Sequence, residues 1–216
     1  MKHSDGRRSL AKQTADDEAS GLDTATRDRL IAFTDLLTRW NPTIKLVSTQ
    51  DLVYLWPRHV EDALQLIPYM PRGATHAVDL GSGGGFPGLV LALATGVHFD
   101  LIESDSRKAA FLQEAATITK APATIHARRI EDMALKSRML VTARALAPLP
   151  KLLELSHTFL AEGGVCLFPK GGRADTEITD ACKDWIMDLQ QFPSRTSPAG
   201  HILRVSGLRR REVTPS

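Results

Sequence analysis

Cysteine, aromatic residues and long apolar runs are scarce in this sequence, and the shortages are informative. Two cysteines, Cys166 and Cys182, in 216 residues build neither a disulfide framework nor a zinc cluster. They fit a reducing compartment. The longest apolar run, Gly88 to Ala94, falls well short of the roughly 18–20 residues that span a bilayer. Met1 to Ser20 is polar, without the apolar core of a signal peptide. The expectation is a cytoplasmic protein with no membrane partner. The seven histidines are scattered, and no His/Cys/Asp cluster has metal-ligand spacing, so no metal is expected. Net charge is also small: 27 Lys+Arg against 25 Asp+Glu gives +2.

The remaining composition is that of a folded protein. Hydrophobic residues make up 43% and charged residues 24%, enough apolar surface to offset ordering entropy. A chain of this length buries roughly 70% of its unfolded surface, and the prior is one domain with an appendage. The charge is unevenly spread. Lys120 to Lys151 carries seven basic residues and two acids, and Arg195 to Glu212 five basic residues and one acid. Local basic surface binds phosphate by counterion release even when the whole chain is near neutral.

Residues 1–21 lack periodicity and read as a loose tail. Residues 22–72 read as a helical extension. Leu30, Phe33, Leu37 and Trp40 share a helix face, Asn41-Pro42 is expected to stop that helix, and Ser48 to Asp51 resembles a capping box. Pro57 is expected to break the second helix, with helix resuming from Arg58 to Ile67. Residues 73–216 alternate strand and helix. Strands are expected at 76–80, 99–103, 123–127, 139–143, 164–168 and near 201–205. Helices are expected at 89–94, 106–120, 150–160 and 174–189. This alternation predicts an α/β domain around a parallel sheet.

The strongest local signal runs from Asp79 through Gly81, Gly83, Gly85 and Phe86-Pro87 to Gly88, after a strand and into a helix. Glycines there admit a ligand close to the backbone, and free amides at the helix start favour polar groups. Glu103 ends the next strand, near the roughly 20-residue spacing at which an acid grips a ribose diol. A nucleoside-bearing ligand is therefore expected across the carboxyl ends of the first two strands. Gly83 to Gly88 satisfies the G-x-G-x-x-G pattern of nicotinamide dinucleotide sites. Asp79 to Gly85 fits the D-x-G-x-G-x-G pattern of S-adenosylmethionine sites. An acid at the strand end suits an ammonium group and is awkward beside a pyrophosphate. No second dinucleotide half is evident, and Ile130-Glu131-Asp132 after the third strand is placed to meet an adenine edge. These features favour the methyl donor.

The sequence resembles the RsmG family, also called glucose-inhibited division protein B, from about Leu30 to Val205. The residues that carry the resemblance include Trp40-Asn41, Leu46-Val47-Ser48, Arg58-His59-x-x-Asp62, Asp79 to Gly83 with Phe86-Pro87-Gly88, and Leu101 to Ser104. Lys108-x-x-Phe111-Leu112, Ala143-Arg144-Ala145 and Lys170-Gly171 complete it. Lys45 and Gly200 depart from the family's frequent Asn and Arg. The resemblance implies a Rossmann-like class I S-adenosylmethionine-dependent methyltransferase that modifies one guanine of 16S ribosomal RNA at N7, with the RNA or the small ribosomal subunit as partner. It implies donor contacts at Gly81, Phe86, Ile130, Glu131 and Arg144, beside Asp79 at the methionine amine, Gly83 in the loop and Glu103 at the ribose.

The chemistry is consistent with that implication. Guanine N7 carries a lone pair and no proton, so orientation supplies most of the acceleration and no general base is expected. A pyrimidine C5 methyltransferase needs a catalytic cysteine, whereas Cys166 and Cys182 fall inside a predicted strand and helix and are expected to be buried. No Asn/Asp-Pro-Pro-aromatic segment of amine methyltransferases is present. Arg58, Arg144 and Lys170 are the leading candidates for RNA contact. A small-molecule methyltransferase, a nicotinamide oxidoreductase and a non-catalytic RNA-binding module remain as alternatives, and a monomer is expected.

Overall fold

A run of apolar strands, each buried on both faces, can be satisfied only between two helical layers, and the chain builds this arrangement. The computed structural model describes residues 21–212; nearly all of the expected tail over 1–21 lies outside them. Seven strands form one sheet: β1 (His76–Leu80), β2 (His98–Ile102), β3 (Ala123–His126), β4 (Arg138–Ala143), β5 (Leu160–Lys170), β6 (Trp185–Pro193) and β7 (His201–Arg210). Their spatial order is β3-β2-β1-β4-β5-β7-β6. The first five strands run parallel, and β7 and β6 close the sheet antiparallel. The chain leaves β1 for β2 on one side and later returns to β4 on the other. Such a reversal opens a crevice at the carboxyl ends of the strands.

The helices are α1 (Thr24–Ile44), α2 (Thr49–Val53), α3 (Glu61–Leu64), α4 (Gly88–Thr95), α5 (Ser106–Thr119), α6 (Leu149–His157) and α7 (Ala174–Asp184). A π-helical turn, Trp56–Val60, precedes α3. On one face of the sheet, Leu30, Phe33 and Leu37 of α1 pack with Leu89 of α4 and Phe111 of α5. On the other, Leu152 and Leu153 of α6 pack on Val141 and Phe168. The amino-terminal helix therefore shares its core with the sheet.

Four expectations need correction. First, α1 does not stop at Asn41 but continues through Pro42 to Ile44. A proline in the last turn removes only one ladder bond. Buried Asn41 secures the exit, accepting from Val47 N–H at 2.8 Å and donating to Val47 C=O at 3.1 Å. Second, the helix expected to reach residue 189 ends at Asp184, and 185–193 form β6. A register shift between Ile186 and Asp188 interrupts the period-two alternation, so Trp185, Leu189 and Phe192 mimic helical spacing. Third, Cys166 is buried as expected but Cys182 is exposed on α7. Fourth, Pro57 does not break the second helix: α2 already ends at Val53, and Pro57 sits in the first turn of the π-helical segment, where its missing N–H costs nothing. β5 and β7 run longer than expected, to 160–170 and 201–210, and the other expected spans hold to within a few residues. Of the expected capping box the N-cap half is present, the Ser48 side chain accepting from Asp51 N–H at 3.1 Å, while the Asp51 carboxylate accepts from the Ser48 hydroxyl at 2.7 Å.

Candidate active site

The glycine loop occupies the crevice end of β1. Gly81, Gly83 and Gly85 all have positive φ, at 65°, 54° and 90°, a region costly to residues with a Cβ. The loop is tied to β2 by Glu103. Its Oε2 accepts from Gly83 N–H and its Oε1 from Asp105 N–H, both at 2.8 Å. A carboxylate has about four lone-pair sites, so Glu103 retains capacity to accept from a ligand. Asp105 in turn caps α5, accepting from the Arg107 and Lys108 amides.

A cavity of about 520 Å³ lies over this loop, and seven of the expected donor-site residues line it: Gly81, Gly83, Phe86, Glu103, Ile130, Glu131 and Arg144. Ile102, Leu146 and Leu155 add apolar wall, and Lys108, Arg128 and Arg129 add cationic rim. The donor set suits a nucleoside with an amino-acid tail: a carboxylate for a diol, aliphatic side chains for a flat base, loop backbone for polar ends. Asp79 is placed differently from expectation. It is fully buried behind the loop and outside the cavity lining. Thr142 donates its hydroxyl to Asp79 Oδ1 at 2.6 Å, while Oδ2 has no partner. A Cβ on Gly88 would sit 2.6 Å from that of Asp79, so α4 starts directly against it. Burial pushes the Asp79 carboxyl up to about 6.

Arg144, just after β4, is held from the helical layer. Its guanidinium donates to Asp62 Oδ2 at 3.1 Å, to the Arg58 carbonyl at 3.3 Å and to His59 Nδ1, and lies over the Phe86 ring at 5.2 Å. His59 also packs on Phe86, ring centroids 5.0 Å apart. Burial and the neighbouring Arg144 charge push the His59 imidazole down to about 4, so it is neutral and free to accept at Nδ1. Asp62 is anchored by Gln65 Nε2 at 2.7 Å and by Thr196 Oγ1 at 2.6 Å. Sequence reasoning gave Asp62, Gln65 and Thr196 no role. The spacing of Arg58, His59 and Asp62 on one helical face was a usable signal; Thr196, distant in sequence, offered none.

A second cavity, of about 860 Å³, adjoins the first and is bordered by Arg58, Arg144 and Lys170, so all three expected RNA contacts meet there. Their availability differs. Arg58 is exposed and pairs with Asp51 at 3.0 Å. Lys170 is largely enclosed, paired with Glu177 at 2.7 Å and donating to the Ala147 carbonyl at 2.8 Å. Neither cysteine lines either cavity, and burial pushes the Cys166 thiol up to about 12. Among the described residues, no group of three His, Cys, Asp or Glu is arranged to hold a metal ion. No helix there is long and apolar enough to cross a membrane.

Residues 26–202 match the family described as rRNA small subunit methyltransferase G. The ribosomal RNA small subunit methyltransferase G of Gluconobacter oxydans (strain 621H) is 52% identical over 185 residues, covering 86% of this chain and 95% of that one. The protein of the same description from Rhodospirillum centenum (strain ATCC 51521 / SW) is 51% identical, covering 87% of each. Among solved structures, the O-methyltransferase from Bacillus cereus in complex with SAH superposes with a TM-score of 0.57 at 13% identity, covering 91% of this chain and 97% of that one. M. jannaschii TYW2 in complex with AdoMet does so with 0.55 at 16% identity, covering 71% and 76%. At that identity the likeness is one of fold: a Rossmann-like class I methyltransferase sheet with helices on both faces.

Proposed function

Because the chain belongs to the rRNA small subunit methyltransferase G family, we propose that it transfers a methyl group from S-adenosylmethionine to N7 of a guanine in 16S ribosomal RNA. The observation that carries the donor assignment is the cavity at the carboxyl ends of β1 and β2, with Glu103 pinning the glycine loop. Glu103 holds the ribose, Ile130 and Glu131 hold the adenine, and the backbone of Gly81 and Gly83 receives the amino-acid end. Phe86 and Arg144 wall the side from which the acceptor comes. Asp79 supports the loop from behind and is left out of the donor contacts. When bound, S-adenosylmethionine supplies an activated methyl whose bond to sulfur breaks, the electron pair staying on sulfur, as the N7 lone pair forms the new bond.

No proton moves in that exchange, so the chain's work is orientation and exclusion of water. The buried, unactivated Cys166 and the remote Cys182 agree with a ring-nitrogen acceptor and argue against covalent pyrimidine chemistry. The exposed Arg58 and the basic rim at Lys108, Arg128 and Arg129 receive RNA phosphates. Residues 22–72 act as the helical extension that brings Arg58, His59 and Asp62 to the methyltransferase domain of residues 73–216. The partner is 16S ribosomal RNA or the small subunit that contains it, in the cytoplasm. The test is incubation with unmodified small-subunit RNA and isotope-labelled S-adenosylmethionine, then nuclease digestion and mass spectrometry. Labelled 7-methylguanosine at one position is expected. Label on an exocyclic amine or on pyrimidine C5 overturns the N7 assignment, and unlabelled RNA overturns the function.

A further inference from the structure

The two cavities adjoin along one shared border, a partition of four residues. His59, Arg144, Ala145 and Leu146 line both, and the Phe86 ring packs against His59 and Arg144. The partition is built with strain: Ala145 has φ 54°, a left-handed conformation that costs a residue with a Cβ about 1–2 kcal/mol. Such outliers persist where the surroundings over-determine them and concentrate at functional sites. The far wall comes from the Lys170-Gly171 end of β5 and from the loop between β6 and β7. That loop is fastened across the opening. Thr196 donates to Asp62, and Gln65 accepts from Arg195 N–H at 2.8 Å and donates to Ser194 and Thr196. Segments from both ends of the sequence thus line an open cleft of about 860 Å³, within the roughly 300–1,000 Å³ of small-ligand sites.

Resting on the function proposed above, we infer that this second cavity receives the methyl-accepting guanine as a single unstacked nucleotide, and that Arg144 reads it from the partition. A-form RNA buries base edges in a deep, narrow major groove, and enzymes that act on a base take it out of the stack. An acceptor must meet the methyl from the side opposite sulfur, and the shared partition is where the two cavities meet. Arg144 commits three of its N–H groups, two from Nη1 and one from Nη2. A guanidinium carries five, so Nε–H and one Nη2–H remain. Guanine presents O6 beside N7 on one edge. Arginine donating to O6 alone selects guanine over adenine, whose amino group sits at that place, and leaves the N7 lone pair for the methyl group. Asp62 is then a positioning residue, holding Arg144 against the partition.

Gly171 provides the test. It lines the second cavity and not the first, its φ is ordinary, and a Cβ built on it meets nothing within 4 Å. Gly171→Phe therefore starts its side chain in open space at the cavity wall. The expected result is methylation of small-subunit RNA lowered about a hundredfold, the scale of a misplaced reactant, with S-adenosylmethionine affinity by calorimetry and the unfolding midpoint unchanged. A second measurement uses the wild-type chain and RNA carrying 6-thioguanine in place of the accepting guanine. Photocross-links are expected in Lys170–Arg173 or Ser194–His201. Wild-type methylation rates in Gly171→Phe, or cross-links confined to the Arg128–Glu131 side of the first cavity, overturn the inference and leave the proposed function standing. A wild-type chain that methylates no small-subunit RNA overturns both.

Discussion

Glu103 joins two segments of the chain with one carboxylate, and the sequence shows nothing of that junction. Its distance from the glycine loop marks it as a ribose acceptor. Its bonds to Gly83 N–H and Asp105 N–H show that it also joins the loop to the start of α5. Removing the carboxylate leaves two amides without acceptors, and an unsatisfied buried group costs about 1–3 kcal/mol. Glu103→Ala is therefore expected to lose about 1–3 kcal/mol of stability, since water reaches part of the site. It should also bind S-adenosylmethionine roughly ten- to a hundredfold more weakly, the worth of a charged hydrogen bond. Glu103→Gln keeps one carbonyl acceptor and should lie between Ala and wild type on both measures. Urea unfolding and calorimetry read the two effects. An alanine variant with wild-type stability and affinity would remove Glu103 from both roles.

At the scale of elements, α1 matters to the site through Phe33. Its ring is fully buried, 5.3 Å from Phe86 and 6.2 Å from Phe111, and a Cβ on Gly85 would meet it at 3.1 Å. The helix therefore supports the glycine loop from below. Phe33→Ala is expected to cost about 3–5 kcal/mol and to weaken donor binding as the loop loses its floor. Phe159→Ala is the control. Phe159 is equally buried but lies in the second core, before β5, with its carbonyl accepting from Arg138 N–H at the amino end of β4. It should cost similar stability and leave donor affinity intact at temperatures where both variants are folded. Equal donor affinities in the two variants would show that α1 does not support the loop. Helix and strand periods made the elements of this core legible, and the glycine loop, Glu103 and Arg144 were found from motif and resemblance. The β6 bulge and the passage of α1 through Pro42 were not legible, because in each a tertiary partner overrides a local rule. Asp62 and Thr196, 134 residues apart, meet only through the fold. That Asp79 lies buried behind the loop was not legible, because a motif fixes the residue type but not the side of the loop on which it lies.

Stability belongs to the whole molecule, and here two buried groups oppose each other within it. Burial raises Asp79 from 3.8 to about 6. The folded state then holds that proton more tightly than the unfolded chain, so its contribution is full below about pH 4 and is lost as pH rises through 6. Burial and the charge of Arg144 lower His59 from 6.5 to about 4. Its contribution has the opposite sign: full above pH 6.5 and lost as pH falls through 4. The carboxylates held low by their partners, Asp23, Asp51, Asp100 and Asp105, act below about pH 4 and do not enter this window. Between pH 4 and 6.5 the two slopes offset, and wild-type stability should vary little. Asp79→Asn removes the falling slope while keeping an acceptor for the Thr142 hydroxyl, so its stability should rise with pH across the window. His59→Gln removes the rising slope, so its stability should fall. One proton differing between states gives a slope of at most about 1.4 kcal/mol per pH unit, which urea unfolding at half-unit intervals resolves. The absolute stability of each variant is not diagnostic, since both substitutions disturb packing; the opposite tilt is. Two variants tilting the same way, or both as flat as wild type, would mean that these groups titrate alike in the folded and unfolded chains.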